Sequence, residues 1–450
     1  MGSSVRKSSS ELQARSPASA LPLDSSRSLA LCAEVPHSPL VQAADGPLGQ
    51  PTFSWAQPGL EVAAYGEAER REGGALRSLV QSLQTGLEWA EAPATLPPGP
   101  WFGAIGFHAA LGLSLGDFWQ GFAPLRFSLP RLLRWSTDGR HYAAVFGKEG
   151  KAALRTRLDQ ARRLFDVVPQ AAQPLDLLKA PGPSRIRVVA GSRERWAALV
   201  ADALAAIGRG ELDKVVLARA VDAIAQGPIE TGPLLAALAA RFPTCTTFLL
   251  RGDDGAAFLG ATPETFCRVE KRSVFTDALA GSAAPGSAPS LLKSGKDLRE
   301  HSWVVAHLQN GLRDLCSELL VPPAPRVRVL ANVAHLYTPV EGTLRPGLGT
   351  AEVISALHPT PAVLGVPSAA ARRFLAAHEG LARGLYAGLI GMIGPERADL
   401  KVALRCALVR GDTARLFVGA GVVEGSSADG EWDETALKAA ALLGALESPR

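Results

Sequence analysis

Hydrophobic positions recur along this chain with two periods, and the period changes from segment to segment. Between 192 and 208, Trp196, Leu199, Val200, Ala203, Leu204 and Ile207 fall at helical intervals. Ser192 stands in front of them as an N-cap, and Gly208 and Gly210 stop the run, so a helix is predicted there. Directly after it, Leu212–Arg219 reads as a strand with Lys214, Val216 and Ala218 on one face. Upstream, Phe53–Trp55 and Glu61–Tyr65 read as a hairpin around Gln57-Pro58-Gly59. A helix is expected over 74–90, a buried strand over Trp101–Phe107, and a second hairpin from Phe127–Trp135 and His141–Phe146. Downstream, Phe248–Leu250 and Ala257–Gly260 make a further hairpin, and Lys296 opens a long helix to about Leu319. A strand over Thr413–Val418 then enters a glycine-rich turn and a helix opening near Glu431.

Composition narrows the classes of function. The 450 residues carry a net charge of +4, with Lys and Arg scattered among 43 acidic residues, and no basic stripe with interleaved aromatics is present. A nucleic-acid partner is therefore not expected. Cysteines 32, 245, 267, 316 and 406 are far apart, which predicts reduced thiols in a cytoplasmic protein rather than a disulfide frame or zinc site. No apolar run reaches the ~18 residues that span a bilayer. Residues 1–45 are rich in Ser, Pro, Ala and Arg and are expected to form a disordered leader. Residues 169–184, with four prolines, are expected to link a 46–170 part to a 190–445 part within one domain of 46–450.

Several positions carry candidate chemistry. Helical spacing puts Glu431, Glu434 and Lys438 on one face, where the plain alternative is a solvated i,i+4 ion pair. Lys214 shares a strand face with small and apolar residues. It is either a lysine snorkelling to water or a desolvated amine fit to act as a base. Glu264 follows Pro263 at a turn, where a lone acid is most often exposed. Gly281 and Ser282 offer backbone and hydroxyl donors to an anion. Glu300 lies near a helix start, where acids ordinarily serve the helix dipole. His301 and His307, six apart, do not share a face. Gly419–Gly425 has one residue too many for a dinucleotide fingerprint.

Taken together, Lys214-Val-Val-Leu-Ala-Arg219, Thr262-Pro-Glu264, Ala278-Leu-Ala-Gly-Ser282, Lys296-Asp-Leu-Arg-Glu-His301, His358-Pro-Thr-Pro-Ala-Val-Leu-Gly365, Arg383-Gly-Leu-Tyr-Ala-Gly388, Leu404-Arg-Cys406 and the 419–438 stretch resemble the chorismate-utilising enzymes. The resemblance covers about residues 190–445. It implies an α+β fold, a single large two-lobed domain with mostly antiparallel sheets facing each other and helices outside. Lys214 stands where anthranilate synthases carry glutamine, and Ala280 where aminodeoxychorismate synthases carry lysine. With the His358-Pro-Thr-Pro segment, this combination resembles isochorismate synthases.

The resemblance further implies chorismate as substrate, Lys214 as the base for water attacking ring C2, and Glu264 as the acid for the departing C4 hydroxyl. These roles need a neutral lysine and a protonated glutamate. It implies Mg²⁺ held by Glu300 and Glu434 directly and by Glu431 through water, as suits a hard cation. Trp303 and Val304 stand where some relatives place another acid. Substrate contacts are implied for Gly281, Ser282, His335, Ala362, Arg405, Gly419, Gly421 and Lys438, with a structural role for His335 as the alternative. A monomer without a glutaminase subunit is expected. The rival activities are salicylate synthase, which goes on to eliminate pyruvate, and a silent carboxylate-binding protein. Trp119-Gln-Gly-Phe through Leu129-Pro resembles the menaquinone-type enzymes.

Overall fold

A computed structural model describes residues 28–35, 50–85, 87–91, 99–107, 115–167, 186–330 and 333–447. Two sheets, of thirteen and ten strands, form the frame. In the larger sheet the path runs 187–189, 214–224, 413–423, 406–410, 257–262, 246–251, 53–57, 60–65, 132–137, 140–147, 28–34 and 87–91, with 365–366 paired beside 214–224. In the smaller it runs 316–320, 334–344, 273–283, 265–270, 397–402, 389–393, 101–105, 125–129 and 69–72, with 326–329 paired to 334–344. Every pairing between described strands is antiparallel except that of Ser28–Glu34 with Leu87–Glu91.

The sheets face each other across one apolar core. Phe53 of the larger sheet meets Phe102 of the smaller at 5.0 Å between ring centroids. Helices cover the outer faces. Lys151–Val167 closes over Leu29, Leu31, Ala143 and Val145, while Thr231–Arg241 and Ala428–Leu446 cover Leu249, Leu259 and Leu416. The α+β architecture expected from the motifs is thus present, and among the described residues no helix is long and apolar enough to cross a membrane.

Several local expectations need correction. Within the expected leader, Ser28–Glu34 is a strand, because its apolar Leu29–Cys32 run fits between Arg140–Gly147 and Leu87–Glu91; apart from Val35, the rest of 1–45 lies outside the described residues, as does all of the 169–184 link. The helix expected over 74–90 stops at Leu83 and is followed by Leu87–Glu91 as a strand. The run Phe127–Trp135 does not form one strand. Leu125–Leu129 lies in the smaller sheet and Leu132–Thr137 in the larger, and the chain changes sheet at Pro130 and Arg131. The helix from Gly295 ends at Arg313, since Cys316–Leu320 finds a strand partner in Ala334–Leu344. Finally, Gly419–Val423 is not a turn. It continues the strand Thr413–Val423 in register with Lys214–Ile224, and the next helix opens at Ala428 with Ser427 accepting the Gly430 N–H at 3.2 Å.

Trp119 ties the N-terminal part to the C-terminal one. It is 1% exposed, stacks on Phe417 at 5.3 Å, meets Phe258 edge-on, and donates its indole N–H to Ala382 O at 3.0 Å. Truncating a buried tryptophan of this kind typically costs about 3–5 kcal/mol. Trp119→Ala is expected to lower the stability toward urea by that amount, and an unchanged unfolding midpoint would contradict this account of the core.

Candidate active site

Two crossovers between the sheets build the site. Strand Ala257–Thr262 of the larger sheet continues through Pro263 and Glu264 into Thr265–Glu270 of the smaller one. Arg397–Val402 makes the return journey through 403–405 into Cys406–Arg410. The crossovers are hydrogen bonded to each other: Val402 N–H donates to Glu264 O, and Ala261 N–H to Arg405 O, each at 3.1 Å. The Thr262 hydroxyl adds a bond to Val402 O at 2.6 Å. An acid and a guanidinium are therefore fixed at the seam, 4% and 7% exposed. Glu264 is buried, against the expectation for a lone acid at a turn.

A pocket opens at this seam. Its wall includes Glu264, Gly281, Ser282, Glu300, His335, Ala362, Arg405, Gly419, Gly421, Glu434 and Lys438. Ala280 is on the wall as well. Of the predicted site residues, Lys214 and Glu431 stand off the wall; Lys214 reaches it through an ion pair with Glu300, whereas Glu431 pairs with Lys296, which is off the wall as well.

Lys214 is 1% exposed, which rules out the snorkelling alternative, and its Nζ lies 2.8 Å from Glu300 Oε1. Glu300 is in the second turn of a helix capped by Ser294, so its partner is this ammonium rather than the helix dipole. The pair fits against the sheet because position 421 is glycine: a Cβ there would stand 2.7 Å from Glu300 Oε1 and 3.0 Å from Lys214 Cε. Gly281 has φ +72° and sits at a register shift in the strand Ser273–Ala283, a bulge that only a residue at ease with positive φ makes without strain.

Electrostatics divide the pocket into two ends. At one end burial, with the nearby Asp277 charge, pushes the Glu264 carboxyl up to about 8, in spite of Lys214, Arg328 and Arg405. Close by, burial and the Arg405 charge push His335 down to about 3, so the imidazole is neutral. Its Nδ1 lies 3.1 Å from Gly281 O, a pure acceptor, so Nδ1 carries the proton and Nε2 accepts from Arg405 Nη2 at 3.0 Å. His335 thereby orients Arg405, and the plain structural reading describes part of what it does. Arg405 Nη1 remains buried without a hydrogen-bond partner, a fork with one donor free for an acceptor from outside.

The other end holds three carboxylates and three ammoniums. Lys438 Nζ contacts Glu434 Oε1 at 2.6 Å and Gly419 O at 2.9 Å, so the i,i+4 pair is real but looks into the pocket. Burial alone would push Glu434 up, yet Lys438, Lys296 and Lys214 hold it below its ordinary value. Burial and the Glu434 charge push Glu431 up; Lys296 Nζ, 3.2 Å from Glu431 Oε1, opposes them. Lys296 in turn is drawn on by Glu431, Glu300 and Glu434 together. Lys296 is the residue that sequence reasoning missed here, although it opens the quoted Lys296-Asp-Leu-Arg-Glu-His301 segment. Tyr386 and Arg383 were likewise within a quoted motif, and both line the pocket. Arg383 is wholly buried and binds Val216 O, Val363 O and Glu379, joining the lysine strand to the 358–365 segment. Among the described residues, no three His, Cys, Asp or Glu side chains converge into a cage that would hold a metal ion by themselves.

Comparisons with known proteins agree with this architecture. The family described as chorismate binding enzyme matches residues 53–447. The salicylate biosynthesis isochorismate synthase of Pseudomonas aeruginosa is 33% identical over 413 residues, 88% of this chain and 85% of that protein. Isochorismate synthase MenF of Escherichia coli is 34% identical over 356 residues, 74% of this chain and 78% of that protein. In three dimensions, the structure of the menaquinone-specific isochorismate synthase MenF from Escherichia coli superposes with a TM-score of 0.75 at 26% identity, covering 93% of this chain and 94% of that one. Anthranilate synthase component I from Streptococcus pneumoniae shares the fold, with a TM-score of 0.70 at 21% identity over 96% and 95% of the two chains. With its matched span, its paired crossovers and its relatives, the chain belongs to the family of chorismate binding enzymes.

Proposed function

We propose that the chain is an isochorismate synthase, an isomerase that adds water at C2 of chorismate and expels the C4 hydroxyl. One observation carries the reading: a buried lysine and a buried, protonated glutamate serve one pocket, whose guanidinium keeps a free donor. Arg405 Nη1 takes a substrate carboxylate, with His335 holding the other nitrogen in place. Lys214, once neutral, accepts a proton from the attacking water as oxygen bonds to C2. The two ring double bonds shift, the C4–O bond breaks, and Glu264 gives its proton to the leaving hydroxyl, which departs as water. Water consumed equals water released, so the product is an isomer.

The acidic end suits Mg²⁺ by the chemistry of its donors, which are carboxylate oxygens only, and a cation that keeps several waters needs no closed cage. Glu300 and Glu434 would bind it directly and Glu431 through water, supplying positive charge for the substrate's second carboxylate. In the bare chain Lys214, Lys296 and Lys438 neutralise these same glutamates. Ala280 and Lys214 argue against amination and so against a glutaminase partner.

Incubation with chorismate and Mg²⁺, without an amine donor, is expected to yield isochorismate alone on chromatography. Salicylate with pyruvate would shift the reading to the eliminating rival, and no product would leave a binding protein. Lys214→Ala is expected to lower kcat by about 10²–10⁴-fold, the usual contribution of a positioned base, while chorismate still binds; near-normal turnover would remove Lys214 from the mechanism. For Glu434→Gln, the Mg²⁺ concentration for half-maximal rate should rise at least about tenfold, on the scale seen for disturbed metal sites, and an unchanged titration would dismiss the metal assignment. Because the acid must be protonated, kcat/KM should fall as pH rises through about 8, the value for Glu264; a rate still climbing well beyond that pH would exclude Glu264 as the donor.

A further inference from the structure

Behind Glu264, away from the pocket, lies a buried acid for which the reaction has no direct use. Asp277 is on the strand Ser273–Ala283 and is 4% exposed. Its Oδ2 accepts the Thr265 N–H at 3.2 Å, the amide immediately after Glu264, and receives Arg328 Nη1 at 3.1 Å. Its Oδ1 is buried without a hydrogen-bond partner. A second cavity begins there, sharing Pro263 with the active-site pocket and bordered by Asp277, Arg328, Arg268 and Lys401. A buried carboxylate whose charge is only partly met is costly to a fold, and such groups concentrate where they act on a neighbour.

We propose that Asp277 is a positioning residue for Glu264: its carboxylate pins the backbone of the 262–265 crossover and sets the charge against which the Glu264 proton is held. The inference rests on Glu264 being the acid of the reaction. The charged groups that weigh most on Glu264 are Asp277, Lys214, Arg328 and Arg405, and of these only Asp277 opposes its ionisation; Glu300, Glu434 and Lys438 stand on the same pocket wall. On the neighbouring strand, Lys401 and Asp399 pair with each other at 2.9 Å, and Lys401 reaches the Thr265 hydroxyl at 3.0 Å. The Tyr337 phenol, pushed up by burial and by Asp277, adds no charge. Arg328, 30% exposed at its side chain, is the counterweight: it tempers Asp277 from the side of the second cavity.

The signs follow from the charges. Asp277→Asn keeps an oxygen for the Thr265 amide and removes the negative charge, so Glu264 ionises more readily and the basic limb of the kcat/KM profile moves to lower pH. Arg328→Gln removes a positive charge and moves the limb to higher pH. A displacement of about one pH unit is expected in each, which is about a tenfold loss for Asp277→Asn at a pH above the wild-type limb. Titration of the carboxyl stretch that Glu264→Gln deletes, followed by infrared difference spectroscopy in the chain without chorismate, should move in the same two directions. The spectroscopic arm needs no turnover, and Arg328→Gln keeps the test open if Asp277→Asn does not fold. A wild-type profile without a basic limb would overturn the role of Glu264 and this inference with it. A limb present in the wild type, with limb and carboxyl titration unmoved in the folded variants, would overturn the inference alone.

Discussion

The active site depends on a backbone constraint before it depends on any side chain. Two segments pass between the sheets at one place, and hydrogen bonds between 261–264 and 402–405 lock each to the other. Neither sheet could slide on its neighbour without breaking them. Each crossover presents one ionisable group to the seam, Glu264 on one and Arg405 on the other. Arg405 has φ +47°, unusual for a non-glycine residue, so the return crossover adopts a conformation that only its surroundings sustain. The bulge at Gly281 brings a third strand to the same seam and aims its carbonyl at His335.

On this frame, charge is distributed so that each end of the pocket does a different thing. Around Glu264 the balance of burial and Asp277 against the cations leaves a carboxyl that retains its proton near neutrality. At Glu434 burial acts in the same direction, yet three ammoniums outweigh it and the group is a carboxylate. Two glutamates of one pocket thus take opposite protonation states from their neighbours alone.

How much of this was legible beforehand varied with the physics involved. Helix 193–208 was readable because its cap, its apolar spacing and its stop signals all agree. The site residues were named through the resemblance of short motifs, and the pocket brings nearly all of them to one wall. What failed was local reading where tertiary pairing decides. Glycines at 419 and 421 look like a turn in one dimension, but they lie in a strand because Ala218 and Val216 stand opposite them and because a side chain at 421 would strike the Lys214 and Glu300 pair. Phe127–Trp135 reads as one strand only if Pro130 is passed over; that proline, which cannot donate to a ladder, marks the change of sheet. Lys296 and Asp277 were invisible for a different reason: their importance lies in the carboxylates they face, and those come from distant parts of the chain.

The order of strands has a consequence for how the chain can be divided. The motifs lie after residue 190, yet strands 53–57 and 60–65 are inserted in the larger sheet between 246–251 and 132–137, and strand 101–105 pairs with 389–393 in the smaller. The motif-poor half is woven through the motif-rich half rather than placed beside it. A fragment beginning at the proline-rich link would keep the pocket wall but present two raw sheet edges, at 246–251 and 389–393, and the bare ring of Phe417.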